Sequence, residues 1–310
     1  MIISASRRTD IPAFYSDWFY ERIREGFVLL RNPMNARQVS RISLSPNVVD
    51  GIVFWSKNPA PMFDRLNELS AYTFYFQFTL NSYGTDIEPN VPSKNESVIP
   101  FFLRLSNRIG PERVIWRYDP VFLNERYSIE YHVEYFGKLA ERLRGATRHC
   151  TISFLDFYRK IEKRISPAGI IPFTENALVR LSEAFRQIAK ENNLVIDTCA
   201  EENSLERYGI PGAACVNLRL LQQLTGISLL LSKDQNQRSE CGCVESVDIG
   251  AYNTCRHGCL YCYANSSLKT VLKNTSLYDP TSPLLCGTLS EEDTVKDRNV
   301  KSNAVGNMLF

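Results

Sequence analysis

The sequence predicts an α/β fold in which parallel strands curl into a partial or full (β/α) barrel of the TIM type. Two observations predict it. Six short segments rich in Ile, Val, Phe, Tyr and Trp recur along the first two-thirds of the chain, and amphipathic helical patterns separate them. Several of the segments are continuous apolar runs, as strands covered on both faces should be. Six strand–helix repeats are enough to bend a parallel sheet toward closure.

The strands are expected at residues 2–6, 51–56, 72–80, 114–118, 151–155 and 194–198. Between them, Ser93-Lys94-Asn95-Glu96 is a capping box, in which serine and glutamate satisfy each other's free backbone donors. It opens an apolar stripe of Val98, Ile99, Phe102, Leu103 and Leu105. Ser128 can cap a helix burying Ile129, Val133, Phe136, Ala140 and Leu143, and Thr174 one burying Ala177, Leu178, Leu181, Phe185 and Ile188. His132, mid-helix beside Tyr131, reads as a surface or interface histidine, and nothing marks His149 as catalytic.

The texture changes after Lys233. KDQNQRSECGC is polar and cysteine-rich, residues 244–252 offer one further strand, 266–272 a helix, and 291–299 a charged, exposed stretch. The organisation expected is a barrel region over 1–232 and a C-terminal segment, 233–310, packing on its mouth as one structural unit.

A chain of 310 residues with 44% hydrophobic and 23% charged residues can bury a substantial core. It lacks a run of about 18 apolar residues that would cross a membrane, and MIISASRRTD has no signal-peptide character. The expectation is a cytoplasmic protein with no membrane partner. A net charge of +2 makes no global case for nucleic acid.

Function in parallel α/β folds collects where the carboxyl ends of the strands converge. Here those ends are polar: Ser6-Arg7-Arg8-Thr9-Asp10, Ser56-Lys57-Asn58, Gln77 and Asn81, Arg117 and Asp119, Asp156, and Cys199 with Glu201 and Glu202. Each taken singly is a strand meeting solvent; together they sketch one polar rim. Arg7, Arg8, Asp10, Lys57 and Asn58 are candidate ligand-binding residues on that rim. Arg117 and Asp119 alternate on one side of a buried strand, where charge is costly unless paired or facing a cavity.

The cysteines are more specific. Nine occur, five of them between Cys241 and Cys262 and none before Cys150. In a reducing compartment that excess points to metal or catalysis before disulfides. Cys255, Cys259 and Cys262, spaced C-x3-C-x2-C, can bind three corners of a four-iron, four-sulfur cluster and leave the fourth iron open. A zinc site is the competing reading: Cys241 and Cys243 add two thiols, and His257 offers a nitrogen. Cys199, Cys215, Cys241 and Cys243 form a candidate set for a second cluster or zinc. Against it, Cys199 can end a buried strand and Cys215 can fill the core as a small apolar residue. Cys150 and Cys286 read as structural.

The segment Cys255-Arg-His-Gly-Cys259-Leu-Tyr261-Cys262 resembles the signature of the radical S-adenosylmethionine superfamily, C-x3-C-x-aromatic-C. NTCRHGCLYCYAN and Trp116-Arg-Tyr-Asp-Pro120 are similar to stretches of its spore photoproduct lyase-like branch. From SRRTDIPAFY and FWSKNP through RYDP to the triad, the chain resembles a bacterial family catalogued as a domain of unknown function with such a C-terminal triad. The resemblance implies a [4Fe-4S] cluster on the three cysteines, S-adenosylmethionine on the open iron and a 5′-deoxyadenosyl radical that abstracts hydrogen. It also implies a reduced ferredoxin or flavodoxin-type electron donor, with a small molecule, a peptide or damaged nucleic acid as substrate. In most members the triad follows the first barrel strand. Its late position here predicts a circularly permuted barrel, with residues 244–252 standing in for that strand. The usual glycine-rich segment is not evident. The rival function is a non-catalytic metal-binding protein whose C-terminal site staples the fold.

Overall fold

The structure, a computed structural model, describes residues 1–156, 159–201 and 205–308, and not the side chains at 159–160 and 306–308. Seven parallel strands form the central sheet: β1 (Ile2–Ala5), β2 (Gly51–Ser56), β3 (Phe74–Thr79), β4 (Val114–Val121), β5 (His149–Phe154), β6 (Val195–Thr198) and β7 (Val247–Asp248). Their spatial order is β7-β1-β2-β3-β4-β5-β6. The last strand in sequence therefore lies beside the first, with Ile3 opposite Val247 and Ser4 opposite Asp248.

All six expected strands are present, the third trimmed to Phe74–Thr79. The 244–252 segment shrinks to the two residues of β7. The sheet is not closed: β6 and β7 are its two edges. Irregular backbone covers the opening. The amide of Thr198 donates to the Pro211 carbonyl at 2.9 Å, that of Ala213 to Thr198 at 2.7 Å and that of Val244 to Val216 at 3.2 Å. These pairings flank an open seven-stranded parallel sheet and do not close it.

Alternation along the strands divides the core in two. Ile3, Phe54, Phe76 and Trp116 face outward into a large apolar layer under the helices. Ile2, Val53, Tyr75 and Ile115 face the concavity, where they meet Cys215, Cys241, Cys243 and Val244. Burying one Phe or Leu contributes about 1.5–3 kcal/mol, so the outer layer, with Trp18, Phe19, Phe102 and Phe136 all fully buried, carries most of the stability.

The expected caps hold. Ser93 accepts from the Glu96 amide ahead of Ile99–Ile109, Ser128 from Tyr131 at the start of Ile129–Arg142, and Thr174 from Ala177 at the start of Glu175–Glu191. His132 corrects the sequence reading: it is fully buried. Its Nε2 meets the Phe122 carbonyl at 2.8 Å and so carries the proton, leaving Nδ1 to accept from the Tyr118 hydroxyl at 2.8 Å. The apolar stripe misled there because a polar ring on the buried face is satisfied by its own strand-end loop.

Residues beyond 233 do more than form β7. Thr294–Asp297 adds a parallel strand to the hairpin of Phe27–Arg31 and Gln38–Ser43, and Ala304–Met308 pairs with Ile227–Leu229. Among the described residues, no helix is long and apolar enough to cross a membrane.

Candidate metal centre

Because every strand of the sheet runs the same way, every carboxyl end opens on the same mouth. β7 is only two residues long, and Asp248 anchors it. Its carboxylate accepts from the Ser4 hydroxyl (2.8 Å), the Ser6 hydroxyl (2.7 Å), the Arg7 amide (2.8 Å) and the Gly250 amide (3.0 Å). Gly250 packs so closely that a Cβ there would lie 2.1 Å from Ser6 Oγ. The chain then turns into the cysteine loop.

That loop is held from several sides. The Tyr15 hydroxyl donates to the Thr254 carbonyl at 2.6 Å and the Asn265 amide group to the Cys255 carbonyl at 2.8 Å. Arg164 donates to the carbonyls of Cys262 and Asn265. Gly258 takes φ +72°, which only glycine adopts without strain, and brings the Leu260 amide to the Ile87 carbonyl at 3.0 Å. His257 is buried and donates through Nε2 to Asp10 at 2.8 Å, while its Nδ1 has no protein partner. Asp10 thus fixes the ring through Nε2 and leaves Nδ1 free.

The three thiols act on one another by charge. Burial pushes the Cys255 thiol well above its usual range, with Cys262, Asp10 and Cys259 adding to the effect. Burial also raises Cys259 to about 12, although Lys57 opposes it. Thiolates gathered here need a cation to hold them.

Tyr261, between the last two cysteines, is fixed by a charged hub. Its hydroxyl donates to Glu88, which also receives the ammonium groups of Lys57 at 2.8 Å and Lys94 at 2.7 Å. Burial alone would raise the Glu88 carboxyl, but the two lysines hold it at about 2. Asn81 locks the hub to β4, accepting from the Asp119 amide at 2.7 Å and donating to the Asp119 carbonyl at 2.8 Å and to Glu88 at 3.2 Å.

The residues singled out from sequence fall into three groups. Asp10 is a positioning residue: its carboxylate takes the Ser56 hydroxyl (2.7 Å), the Ala13 amide (2.9 Å), the Lys57 amide (2.8 Å) and His257. Asn58 follows in the same turn, its amide donating to Ser56 Oγ at 3.0 Å. Lys57, Arg117 and Asp119 are the buried charges of the mouth. Arg117 pairs with Asp119 at 2.5 Å, accounting for charge on that strand, and Ser153 donates to the other carboxylate oxygen. Arg7 and Arg8 diverge. Arg8 lies 3.9 Å from Asp248 and over the Tyr252 ring, whereas Arg7 stacks on Trp55 and approaches Asp234 at 3.8 Å. Asp156 pairs with Arg238 at 2.5 Å. Glu201 accepts from the Phe154 amide at 2.7 Å, and burial raises its carboxyl to about 8. Glu202 lies outside the described residues.

Sequence reasoning missed Glu88, Lys94, Asn265 and Arg164. Glu88 sits in SYGTDIEPNVPSK, a loop with no motif, and its burial comes only from meeting two lysines brought by other segments.

The second cysteine set also assembles. Cys199 Sγ lies 3.1 Å from Cys215 Sγ, and Cys215, Cys241 and Cys243 are buried in one cluster against which Cys199 packs. Cys150 and Cys286 stand apart: Cys150 is in the outer core, and Cys286 is packed against it.

In donor chemistry the triad fits an iron–sulfur cluster: three soft sulfur donors on one braced loop at the mouth. Among the described residues, no group of three or more His, Cys, Asp or Glu side chains is placed to hold a metal ion. Either cysteine set must adjust to ligate.

Comparison with curated proteins finds no match. Among solved structures, a variant of Rhizobium etli pyruvate carboxylase crystallized without acetyl coenzyme A is similar over 70% of this chain and 24% of that one, at 10% identity and a TM-score of 0.28. The chain thus spans about a quarter of that protein, and the likeness is too slight to carry an argument. The sequence profile described as "Domain of unknown function (DUF1848)" matches residues 2–264, from β1 through the cysteine triad, and the chain belongs to that family.

Proposed function

We propose that the protein is a radical S-adenosylmethionine enzyme in which Cys255, Cys259 and Cys262 hold three irons of a [4Fe-4S] cluster. The observation that carries this reading is topological. The C-x3-C-x2-C loop comes late in sequence yet follows a parallel edge strand that lies beside β1, which supports reading that strand as the first of a permuted order. A permuted barrel rationalises both facts. When bound, the cluster and S-adenosylmethionine supply a radical that abstracts hydrogen from substrate.

The chain's own residues do the rest. Tyr261, clamped by Glu88 and Asn81, closes one wall of the site against water. Arg8 is the cation best placed to take a carboxylate, since its contact with Asp248 is long. Lys57 and Arg117 are already neutralised by Glu88 and Asp119 and keep the mouth polar without free charge. The carboxyl of Glu201 holds its proton at neutral pH and can donate a hydrogen bond to substrate. The reaction calls for a reduced ferredoxin or flavodoxin-type donor; small molecules, peptides and damaged nucleic acid are all candidate substrates.

Anaerobic reconstitution tests the proposal. About four iron and four sulfide per chain are expected, absent in Cys255→Ala/Cys259→Ala/Cys262→Ala, with 5′-deoxyadenosine released on reduction in the presence of S-adenosylmethionine. A fully loaded chain that forms no 5′-deoxyadenosine refutes it, and a chain that retains only zinc at the triad favours a structural staple.

A further inference from the structure

Outside the triad, the sequence's other candidate metal set, four thiols, gathers at the opening of the barrel. Cys199 follows β6, one edge of the sheet. Cys241 and Cys243 precede β7, the other edge. Cys215 lies between them, in the concavity, where its carbonyl accepts from the Tyr75 hydroxyl at 2.6 Å and the Gln77 side chain at 2.9 Å. Cys199 Sγ meets Cys215 Sγ at 3.1 Å, and Cys241 and Cys243 lie with Cys215 in the same buried cluster, against which Cys199 packs. Two guanidinium groups face them. Arg117 Nη1 lies 2.7 Å from Cys215 Sγ, and Arg7, whose Nη2 is buried without a partner, feels the charge of Cys243, Cys215 and Cys241.

We propose that Cys199, Cys215, Cys241 and Cys243 form a mononuclear site for a thiophilic divalent cation of the zinc type, joining the two unpaired edges of the barrel. Three arguments converge on it. Core cysteines used only as small apolar residues have no reason to meet sulfur to sulfur beside two arginines, and burying the Arg7 cation, whose ion pair with Asp234 is long at 3.8 Å, is costly unless a further anionic partner forms. Four thiolates around a dication carry two negative charges; Arg7, whose Nη2 has no hydrogen-bond partner, offsets one, and Arg117, already paired with Asp119, contributes a hydrogen bond to Cys215 Sγ. The spacing selects one ion over a cluster. Metal–sulfur bonds of about 2.3 Å in a tetrahedron separate sulfurs by about 3.8 Å, so a pair at 3.1 Å opens by less than an ångström. A four-iron cube would have to drive contacting sulfurs much further apart. The site lies where strand pairing fails, and ligation there supplies the cross-link that hydrogen bonds between β6 and β7 do not. This inference does not rest on the reading of the triad.

The test uses the full-length Cys255→Ser/Cys259→Ser/Cys262→Ser chain, reduced and free of metal, titrated with cobalt(II) and then zinc. Expected are about one cobalt per chain with the intense charge-transfer and visible bands of a tetrahedral four-thiolate site, and displacement by zinc. Adding Cys241→Ser/Cys243→Ser should cut bound metal by about tenfold or more. If that variant fails to fold by circular dichroism, mercurial titration of the zinc-loaded parent decides instead, with one zinc released per four thiols. A folded parent that binds no cobalt, a spectrum lacking four-thiolate character, or iron with sulfide recovered at these cysteines would overturn the proposal.

Discussion

Replacing Glu88 by glutamine asks whether the charged hub behind Tyr261 is what fixes the cysteine loop. The carboxylate is buried and receives Lys57, Lys94 and the Tyr261 hydroxyl. Its pKa of about 2 in the folded chain, against an ordinary 4.5, corresponds to about 3 kcal/mol of preference for the ionised form. That agrees with the roughly 3–5 kcal/mol lost when one partner of a buried ion pair is removed. Because the folded pKa is depressed, this stability is present above pH 4.5 and is lost as pH falls from there through about 2. Glu88→Gln should therefore lower the urea unfolding free energy by about 3 kcal/mol at pH 7, with the difference shrinking toward pH 3 as the carboxyl of the unfolded wild-type chain takes up its proton. A loss below about 1 kcal/mol at pH 7 would refute the argument, because a surface pair costs no more than that. So would an equal loss at both pH values.

Three further perturbations probe other parts of the same frame. The His132 ring is held neutral, its pKa lowered by burial from 6.5 to about 4; stability should be full above pH 6.5 and fall by up to about 3 kcal/mol as pH drops through that window, a slope that His132→Gln removes in pH-resolved unfolding. Asp10→Asn leaves an amide NH2 facing donors that now point at a carboxylate, and should cost about 2 kcal/mol or more; reconstituted iron should fall with it, because His257 and the triad loop lose their tether. Gly250→Ala drives a methyl group into Ser6 and should lower stability by about 1–3 kcal/mol, read as a reduced melting temperature, since the Asp248 knot that seats β7 must open.

Much of the fold was legible in the chain because strands buried on both faces must be written as continuous apolar runs, and FWSKNP or FYFQFT permits little else. The caps at Ser93, Ser128 and Thr174 were legible for a similar reason, since a helix start needs a local acceptor. The hairpin of Phe27–Arg31 and Gln38–Ser43 was missed because its half-exposed strands alternate weakly, and Thr294–Asp297 because a fully exposed strand carries no apolar signature.

By itself, the sequence determined which residues carry soft sulfur donors at short spacing: three thiols within eight residues need no fold to be recognised. Tertiary structure alone decided where those thiols stand. A two-residue strand pairs beside β1 through Asp248, with too few residues to announce itself. The hub of Glu88, Lys57 and Lys94 and the meeting of Cys199, Cys215, Cys241 and Cys243 also belong to the tertiary structure. Burial and charge compensation are properties of neighbours in space, and these neighbours come from segments far apart in the chain.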